Sequence, residues 1–289
     1  MQTIGFIGLG IMGKPMALNL INAGYSVSIY ARRPEVAGPL IQAGAKAYAS
    51  PRELAPHVDI IITMVPATAE VEEVLTGKNG IIHTAKPGTI VIDMSTISAG
   101  ATQRIAALLA KKQIEMLDAP VSGGEHGAIN GSLSIMVGGK DDILAKVRPI
   151  FEVLGNQIVH IGANGAGQVA KACNQIIIAE TIIAVSEALH LAKASDVDAA
   201  KVREALLGGF ASSRVLEVHG KRMLDQDYTP GFKASLHRKD MHLALEQAHQ
   251  VGVDIPAANY AMQCLDRLVL KGHSDKDSSA MYLLAEENK

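Results

Sequence analysis

Thr3-Ile4-Gly5-Phe6-Ile7-Gly8-Leu9-Gly10-Ile11-Met12-Gly13 opens the chain, and its reading decides the fold. An apolar β-rich run enters a Gly-x-Gly-x-x-Gly turn, a helical stretch follows from Pro15 to Ala23, and a second β-rich run occupies Ser26 to Tyr30. The context carries more weight than the motif, because glycines at this spacing between strand and helix are what a dinucleotide-binding βαβ unit needs. Gly8 permits the tight turn, Gly10 lets the backbone approach a pyrophosphate, and Gly13 allows close packing of helix on strand. Ile11 and Met12 lie inside the same turn, beside the N–H groups that a helix N-terminus offers to an anion. The competing reading is a purely structural glycine turn.

The second strand refines the cofactor. An NAD-selective unit carries Asp or Glu about 20 residues beyond the glycines to hold the ribose hydroxyls. That place reads Tyr30-Ala31-Arg32-Arg33. A guanidinium suits a 2′-phosphate through charge-assisted, often bidentate hydrogen bonds, so Arg32 points to NADP and to NADPH over NADH. Against this stands the plain alternative of two solvated charges at a strand end.

From this start, short β-rich runs alternate with helical stretches through the first half, the pattern of a doubly wound α/β sheet. Strands are expected at Thr3 to Ile7, Ser26 to Tyr30, Ile60 to Val65, Thr89 to Met94, Ile114 to Leu117, Ser134 to Val137 and Ile158 to Ile161. Continuous apolar runs such as Ile60-Ile61-Ile62 indicate strands covered on both faces and paired in parallel. A glycine-rich stretch, 162–167, then ends the β-rich region, which places a Rossmann domain over 1–162 and an all-helical domain over 163–289. Helices are expected at Val169 to Ala194, Asp198 to Leu207, Ser213 to Leu224, Leu236 to Val251, Ala257 to Leu270 and Ser278 to Glu286. The first of these is apolar on most of its circumference and should be buried between neighbours, either helices of the same chain or a second subunit.

Composition narrows the class. The 289 residues are 48% hydrophobic and 19% charged, as in folded globular proteins. Aromatic residues make up 3% and the formal net charge is −2, which argues against a nucleic-acid partner. The apolar N-terminus lacks a basic leader and is broken by Gly5, Gly8, Gly10 and Gly13, and Ile176 to Leu191 contains Glu180 and Glu187. A soluble, cytoplasmic protein without a membrane span is therefore expected. Cys173 and Cys264 read as two buried, reduced thiols. His126, His160, His190, His237 and His242 show no metal-ligand spacing, and His237, beside Lys239, either approaches the site or, more plainly, is a surface histidine.

Two further segments carry chemistry. Asp118-Ala119-Pro120-Val121-Ser122-Gly123-Gly124 sets a hydroxyl beside two residues without side chains, a candidate cradle for a substrate carboxylate or, more plainly, a turn. Lys171 and Asn174 stand three apart at the start of the long apolar helix and so share one face. A lysine there is either a snorkelling surface charge or, in a pocket, an acid able to protonate a carbonyl oxygen as hydride reaches the carbon.

These segments resemble the β-hydroxyacid dehydrogenase family over nearly the whole chain. The likeness rests on residues 5–13, on Asp118 to Gly124, on Gly165 to Asn174, and on His237-Arg238-Lys239-Asp240. The resemblance implies a Rossmann domain followed by an all-helical one, with Lys171 as proton donor. It also implies that Ser122, Gly123, Gly124 and Asn174 contact a small aldehyde acid or hydroxy acid. Val65, Pro66 and Thr96 would line the cofactor, Lys239 would close the site near the nicotinamide, and the assembly would be a homodimer or homotetramer. Asn174-Gln175-Ile176-Ile177 and the segment 208–220 resemble the tartronate semialdehyde reductases more than the hydroxyisobutyrate dehydrogenases. Ala31 and Glu70 depart from residues common near the cofactor in relatives, so neither contact carries over.

Overall fold

The computed structural model describes residues 2–286. The chain divides into two compact units, Met1–Lys171 and Ala172–Lys289. In the first, the elements run β1 (Thr3–Ile7), α1 (Gly13–Asn22), β2 (Ser26–Tyr30), α2 (Gly38–Gln42), β3 (Lys46–Ala47), α3 (Pro51–Leu54), β4 (Ile60–Thr63) and α4 (Thr68–Thr76). They continue through β5 (Ile90–Asp93), α5 (Ala99–Ala110), β6 (Glu115–Asp118), β7 (Val121–Ser122), α6 (Gly124–Asn130), β8 (Leu133–Gly138), α7 (Asp141–Leu154) and β9 (Gly155–Gly162).

One sheet holds these strands in the order β3-β2-β1-β4-β5-β6-β8-β7, with β9 on β8. Its central strands are apolar at consecutive positions because both faces are covered. Ile4, Phe6, Ile60, Ile62, Ile90 and Ile92 pack with Met16, Leu20 and Phe151 in one cluster. Their neighbours Ile7, Ile61 and Val91 pack with Leu54, Val71 and Ile105 in another. The period of two along each strand thus feeds two separate cores. Full burial of each such side chain contributes roughly 1.5–3 kcal/mol.

Parallel pairing holds from β3 to β6. The expectation fails beyond β6, where β8 runs antiparallel to β6 and β7. The cause lies in the connection: only residues 123–132 separate β7 from β8, fewer than the dozen or so that a parallel crossover requires. β3 and β7 are two residues long, too short to leave a periodic signal.

The long helix α8 (Ala166–Ala194) begins in the first unit and continues into the second. The second unit adds α9 (Ala199–Leu207), α10 (Arg214–Asp225), α11 (Ala234–Gln250), α12 (Pro256–Leu268) and α13 (Tyr282–Glu286). Local chemistry sets the starts of these helices. Asp198 accepts hydrogen bonds from the N–H groups of Ala200 and Lys201, Ser213 from that of Leu216, and Pro256 occupies the first turn of α12.

Ala179, Ile182, Val185 and Leu189 of α8 join Leu216, Met223, Met241, Leu265 and Tyr282 in the core of the second unit. The helix is nonetheless not buried all round: Ile177 is 65% and Leu191 68% exposed. It is long and apolar enough to cross a membrane by length and composition, but its packed face is that of a core helix. Cys264 is buried, as expected, whereas Cys173 lies on an exposed face of α8.

Candidate functional site

Strand register in the first unit aligns the C-terminal ends of the parallel strands. Tyr30, Ile7, Thr63, Asp93 and Asp118 form one row across β2, β1, β4, β5 and β6. The segments that leave this row carry Arg32, the glycine turn, Val65 with Pro66, Thr96, and Ser122. β1 sits where the winding direction reverses, between β2 and β4, and in open α/β sheets ligands bind beyond the carboxyl ends of strands at such a point.

The three glycines differ physically. Gly8 adopts φ +101°, and a Cβ there would lie 2.3 Å from the Met64 carbonyl oxygen. A Cβ on Gly13 would lie 1.9 Å from the Gly8 carbonyl oxygen, whereas one on Gly10 would meet nothing within 4 Å. Gly8 and Gly13 therefore let the turn fold, and Gly10 leaves open space outside it. Ile11 is 50% exposed on this turn. Met12 precedes α1 without a side-chain cap, and no acid stands in the first turn. Backbone N–H groups and the absence of negative charge suit an anionic group at this helix start. Arg32 and Arg33 are exposed beyond β2. The turn thus has the geometry that the pyrophosphate of a dinucleotide needs.

A buried network supports the neighbouring segments. Asp93 Oδ1 accepts hydrogen bonds from Thr63 Oγ1 at 2.8 Å and from the Ser95 N–H at 3.1 Å, and Ser95 Oγ accepts one from the Val65 N–H at 3.0 Å. Val65 is thereby tied to β5. Burial pushes the Asp93 carboxyl up to about 6, against the hydrogen bonds from Ser95 and Thr63 that favour its charge. Asp93 Oδ2 has no hydrogen-bond partner, which leaves it able to carry a proton.

Asp118 anchors the start of α8. Its Oδ1 accepts from the Gly165 N–H at 2.8 Å and its Oδ2 from the Gln168 N–H at 3.1 Å. Burial raises its pKa, opposed by these backbone donors. Gln168 adds a second tie, donating to the Ser95 carbonyl at 2.9 Å and accepting from the Ile97 N–H at 3.1 Å. Thr96 is held between those two contacts. Lys171, one turn further along α8, is 7% exposed, so the alternative of a snorkelling surface lysine is set aside. Ser122 is half-buried at the end of β7. Gly123 and Gly124 follow at φ +134° and +61°, successive left-handed positions that turn the chain sharply beside the hydroxyl and favour glycine at both.

In the second unit, Asn174 and Lys239 belong to one polar chain. Asn174 Nδ2 donates to Gln175 Oε1 at 2.7 Å, Gln175 Nε2 donates to Asp240 Oδ2 at 2.7 Å, and Lys239 Nζ lies 2.9 Å from Asp240 Oδ1. His237 is fully buried rather than on the surface, with Nε2 3.4 Å from the Gln175 carbonyl oxygen and its ring against Phe232. The turn of α11 that brings Asp240 to Gln175 also turns His237 inward. Asp93, Gln168, Gln175 and Asp240 were given no role by the sequence, although Gln168, Gln175 and Asp240 lie within segments that carry the family resemblance. For Asp93 the available signal was polarity where strand periodicity calls for an apolar residue, after Ile90-Val91-Ile92. Among the described residues, no group of three or more His, Cys, Asp or Glu could hold a metal ion.

Comparison with known proteins identifies the family. Residues 3–162 match the family described as the NAD binding domain of 6-phosphogluconate dehydrogenase. Residues 165–285 match the family described as NAD-binding of NADP-dependent 3-hydroxyisobutyrate dehydrogenase. The chain is 46% identical over 278 residues to a 2-hydroxy-3-oxopropionate reductase of Escherichia coli, covering 96% of this chain and 95% of that one. It is 37% identical to an NAD-dependent L-serine dehydrogenase of Pseudomonas aeruginosa, covering 98% of each. A solved structure of Mycobacterium tuberculosis 3-hydroxyisobutyrate dehydrogenase with L-serine superposes with a TM-score of 0.90 at 33% identity, over 98% of this chain and 99% of that one. With both parts of the chain matched and relatives aligned end to end, the protein is an oxidoreductase that belongs to the NAD(P)-dependent β-hydroxyacid dehydrogenase family.

Proposed function

We propose that the protein reduces tartronate semialdehyde to glycerate with NADPH. The observation that carries this reading is the burial of Lys171 at the start of α8, and 46% identity to a 2-hydroxy-3-oxopropionate reductase supports the choice of substrate. When bound, the nicotinamide supplies the hydride for the carbonyl carbon. The glycine turn from Gly8 to Gly13, with Ile11 and Met12, would hold the pyrophosphate, Arg32 the 2′-phosphate, and Val65, Pro66, Thr96 and Lys239 the remaining cofactor surface. Ser122, Gly123 and Gly124 bind the substrate carboxylate through hydroxyl and backbone N–H donors, which orients the aldehyde and lowers the entropy cost of reaction. Lys171 Nζ holds the proton for the carbonyl oxygen, stabilising the negative charge that develops there. Asn174 contacts the same substrate. The working division is a cofactor domain over 1–162 and a substrate and oligomerisation domain over 163–289, in a cytoplasmic homodimer or homotetramer.

The experiment crosses tartronate, methylmalonate and succinate semialdehydes with NADPH and NADH in steady state. The highest kcat/KM is expected for tartronate semialdehyde with NADPH. A preference for methylmalonate semialdehyde would move the protein to the hydroxyisobutyrate type. Lys171→Ala should bind NADPH normally and lose at least about a hundredfold in kcat, in line with general acid catalysis. Near-normal turnover in that variant would remove Lys171 from its role.

A further inference from the structure

The polar chain in the second unit has a direction. The Asp240 carboxylate, 3% exposed and in ion-pair contact with Lys239 Nζ at 2.9 Å, can only accept hydrogen bonds while it is charged. Gln175, also 3% exposed, must then give Asp240 its Nε2, which it does at 2.7 Å. That leaves Gln175 Oε1 facing Asn174, and an acceptor there demands a donor, supplied by Asn174 Nδ2 at 2.7 Å. An amide in Asn174 with its nitrogen end so engaged has its carbonyl end left over.

We propose that Asp240 and Gln175 are positioning residues that fix the orientation of the Asn174 amide, so that Asn174 offers its carbonyl oxygen to a donor on the substrate. This rests on the reading of Asn174 as a substrate contact. The chemical consequence is selectivity for a ligand that brings an O–H or N–H to this point. Tartronate semialdehyde has such a group in its 2-hydroxyl, and a plain alkyl-substituted semialdehyde lacks it. An acceptor that loses water to a bound ligand without gaining a donor is costly, so the preference has a physical basis. The same carboxylate that sets Asn174 also holds Lys239, so one buried acid orients a residue assigned to the substrate and one assigned to the cofactor.

Two variants separate this role from simple packing. Gln175→Met keeps the side chain's length and removes both hydrogen bonds. It should cut kcat/KM for tartronate semialdehyde at least tenfold while leaving the Kd for NADPH within threefold. Gln175→Glu has an additional signature. When protonated, the introduced carboxyl donates its O–H to Asp240 and accepts from Asn174 through its carbonyl, reproducing the native direction. When ionised, it faces Asp240 with like charge, with Lys239, His237 and, one turn earlier on α8, Lys171 as the other titratable groups nearby. The ratio of Gln175→Glu to wild-type kcat/KM should therefore rise at least fivefold from pH 8 to pH 6, and that of Gln175→Met should stay flat. A Gln175→Met variant within twofold of wild type, or a pH-independent Gln175→Glu ratio, overturns the proposal. The side-chain amide resonances of Asn174, identified by their loss in Asn174→Asp, give a readout independent of turnover. They should shift in Gln175→Met, and unshifted resonances overturn the relay. Wild-type inactivity on every semialdehyde would instead overturn the substrate reading alone.

Discussion

Substituting each glycine of the first turn by alanine separates turn geometry from ligand recognition. A methyl group at position 13 would lie 1.9 Å from the Gly8 carbonyl oxygen, where ordinary contact begins near 3.4 Å, so α1 must retreat from β1 by about 1.5 Å. Overpacking of this kind costs roughly 1–3 kcal/mol, and because the obstacle is backbone the upper half of that range applies. For a unit of this size, about 2–3 kcal/mol lowers the melting temperature by roughly 4–12 °C. At position 10 the methyl meets no protein atom within 4 Å and the backbone needs no positive φ. Gly10→Ala should melt within about 2 °C of wild type, or slightly above it, because alanine restricts the unfolded chain. On the proposed cofactor reading its methyl group would stand where a pyrophosphate approaches the backbone, and NADPH affinity should fall by roughly tenfold to a hundredfold, or about 1.4–2.8 kcal/mol. Differential scanning calorimetry of the cofactor-free variants and fluorescence titration with NADPH measure the two effects. A Gly10→Ala protein that melts as low as Gly13→Ala, or that binds NADPH as wild type does, would refute this division of roles.

Three other outcomes follow from single groups. Arg32→Ala should raise the KM for NADPH about tenfold and leave that for NADH within twofold, since only the former carries the 2′-phosphate; equal changes in both would return Arg32 to the status of a solvated charge. Asp93 is held at about 6 by burial, above its ordinary value of 3.8, so its contribution to stability is fully present below the unfolded pKa and is lost as pH rises through 6. Asp93→Asn should therefore gain in melting temperature relative to wild type between pH 4 and 7, and a difference constant with pH would exclude Asp93 as the source. Burial raises the Asp277 pKa, but N–H donors from Phe232 and Ser279 and the charge of His219 outweigh it, and the net shift is downward. Its stabilisation is complete above the unfolded pKa and fades as pH falls through the folded one. Asp277→Ala, which strips Arg222 of a partner at 3.1 Å and Gly231 and Phe232 of their acceptor at 3.0 Å, should cost roughly 3–5 kcal/mol at pH 7. Urea denaturation checks that figure, and a loss under 1 kcal/mol would show that the cluster contributes little.

The sequence alone was sufficient for β1, β2, β4, β5 and β6 and for the helices after residue 166, because their periodicity and caps are local. Residues such as Ile60-Ile61-Ile62 state that both faces are covered without naming what covers them. The reversal at β7 and β8 was not legible, since a two-residue strand has no period and its pairing depends on the length of the connection. Cys173 and His237 were misjudged for one reason: a residue's place on a helix is periodic in sequence, but which face is inward depends on the neighbouring helices.

The site divides along the same line. Gly8-Leu9-Gly10-Ile11-Met12-Gly13 announced a dinucleotide turn by spacing, since turn geometry is set by residues adjacent in the chain, and Lys171 announced itself as a charge at the start of an apolar helix. Tertiary structure decided which of those glycines makes room for backbone and which leaves open space. It also decided that Asp93 and Asp118 stand side by side at the ends of β5 and β6, and that Asn174 reaches Lys239 through Gln175 and Asp240. Those pairs lie 25 and 65 residues apart in sequence. Hydrogen bonds act over about 3 Å, so only the folded chain brings such partners within range.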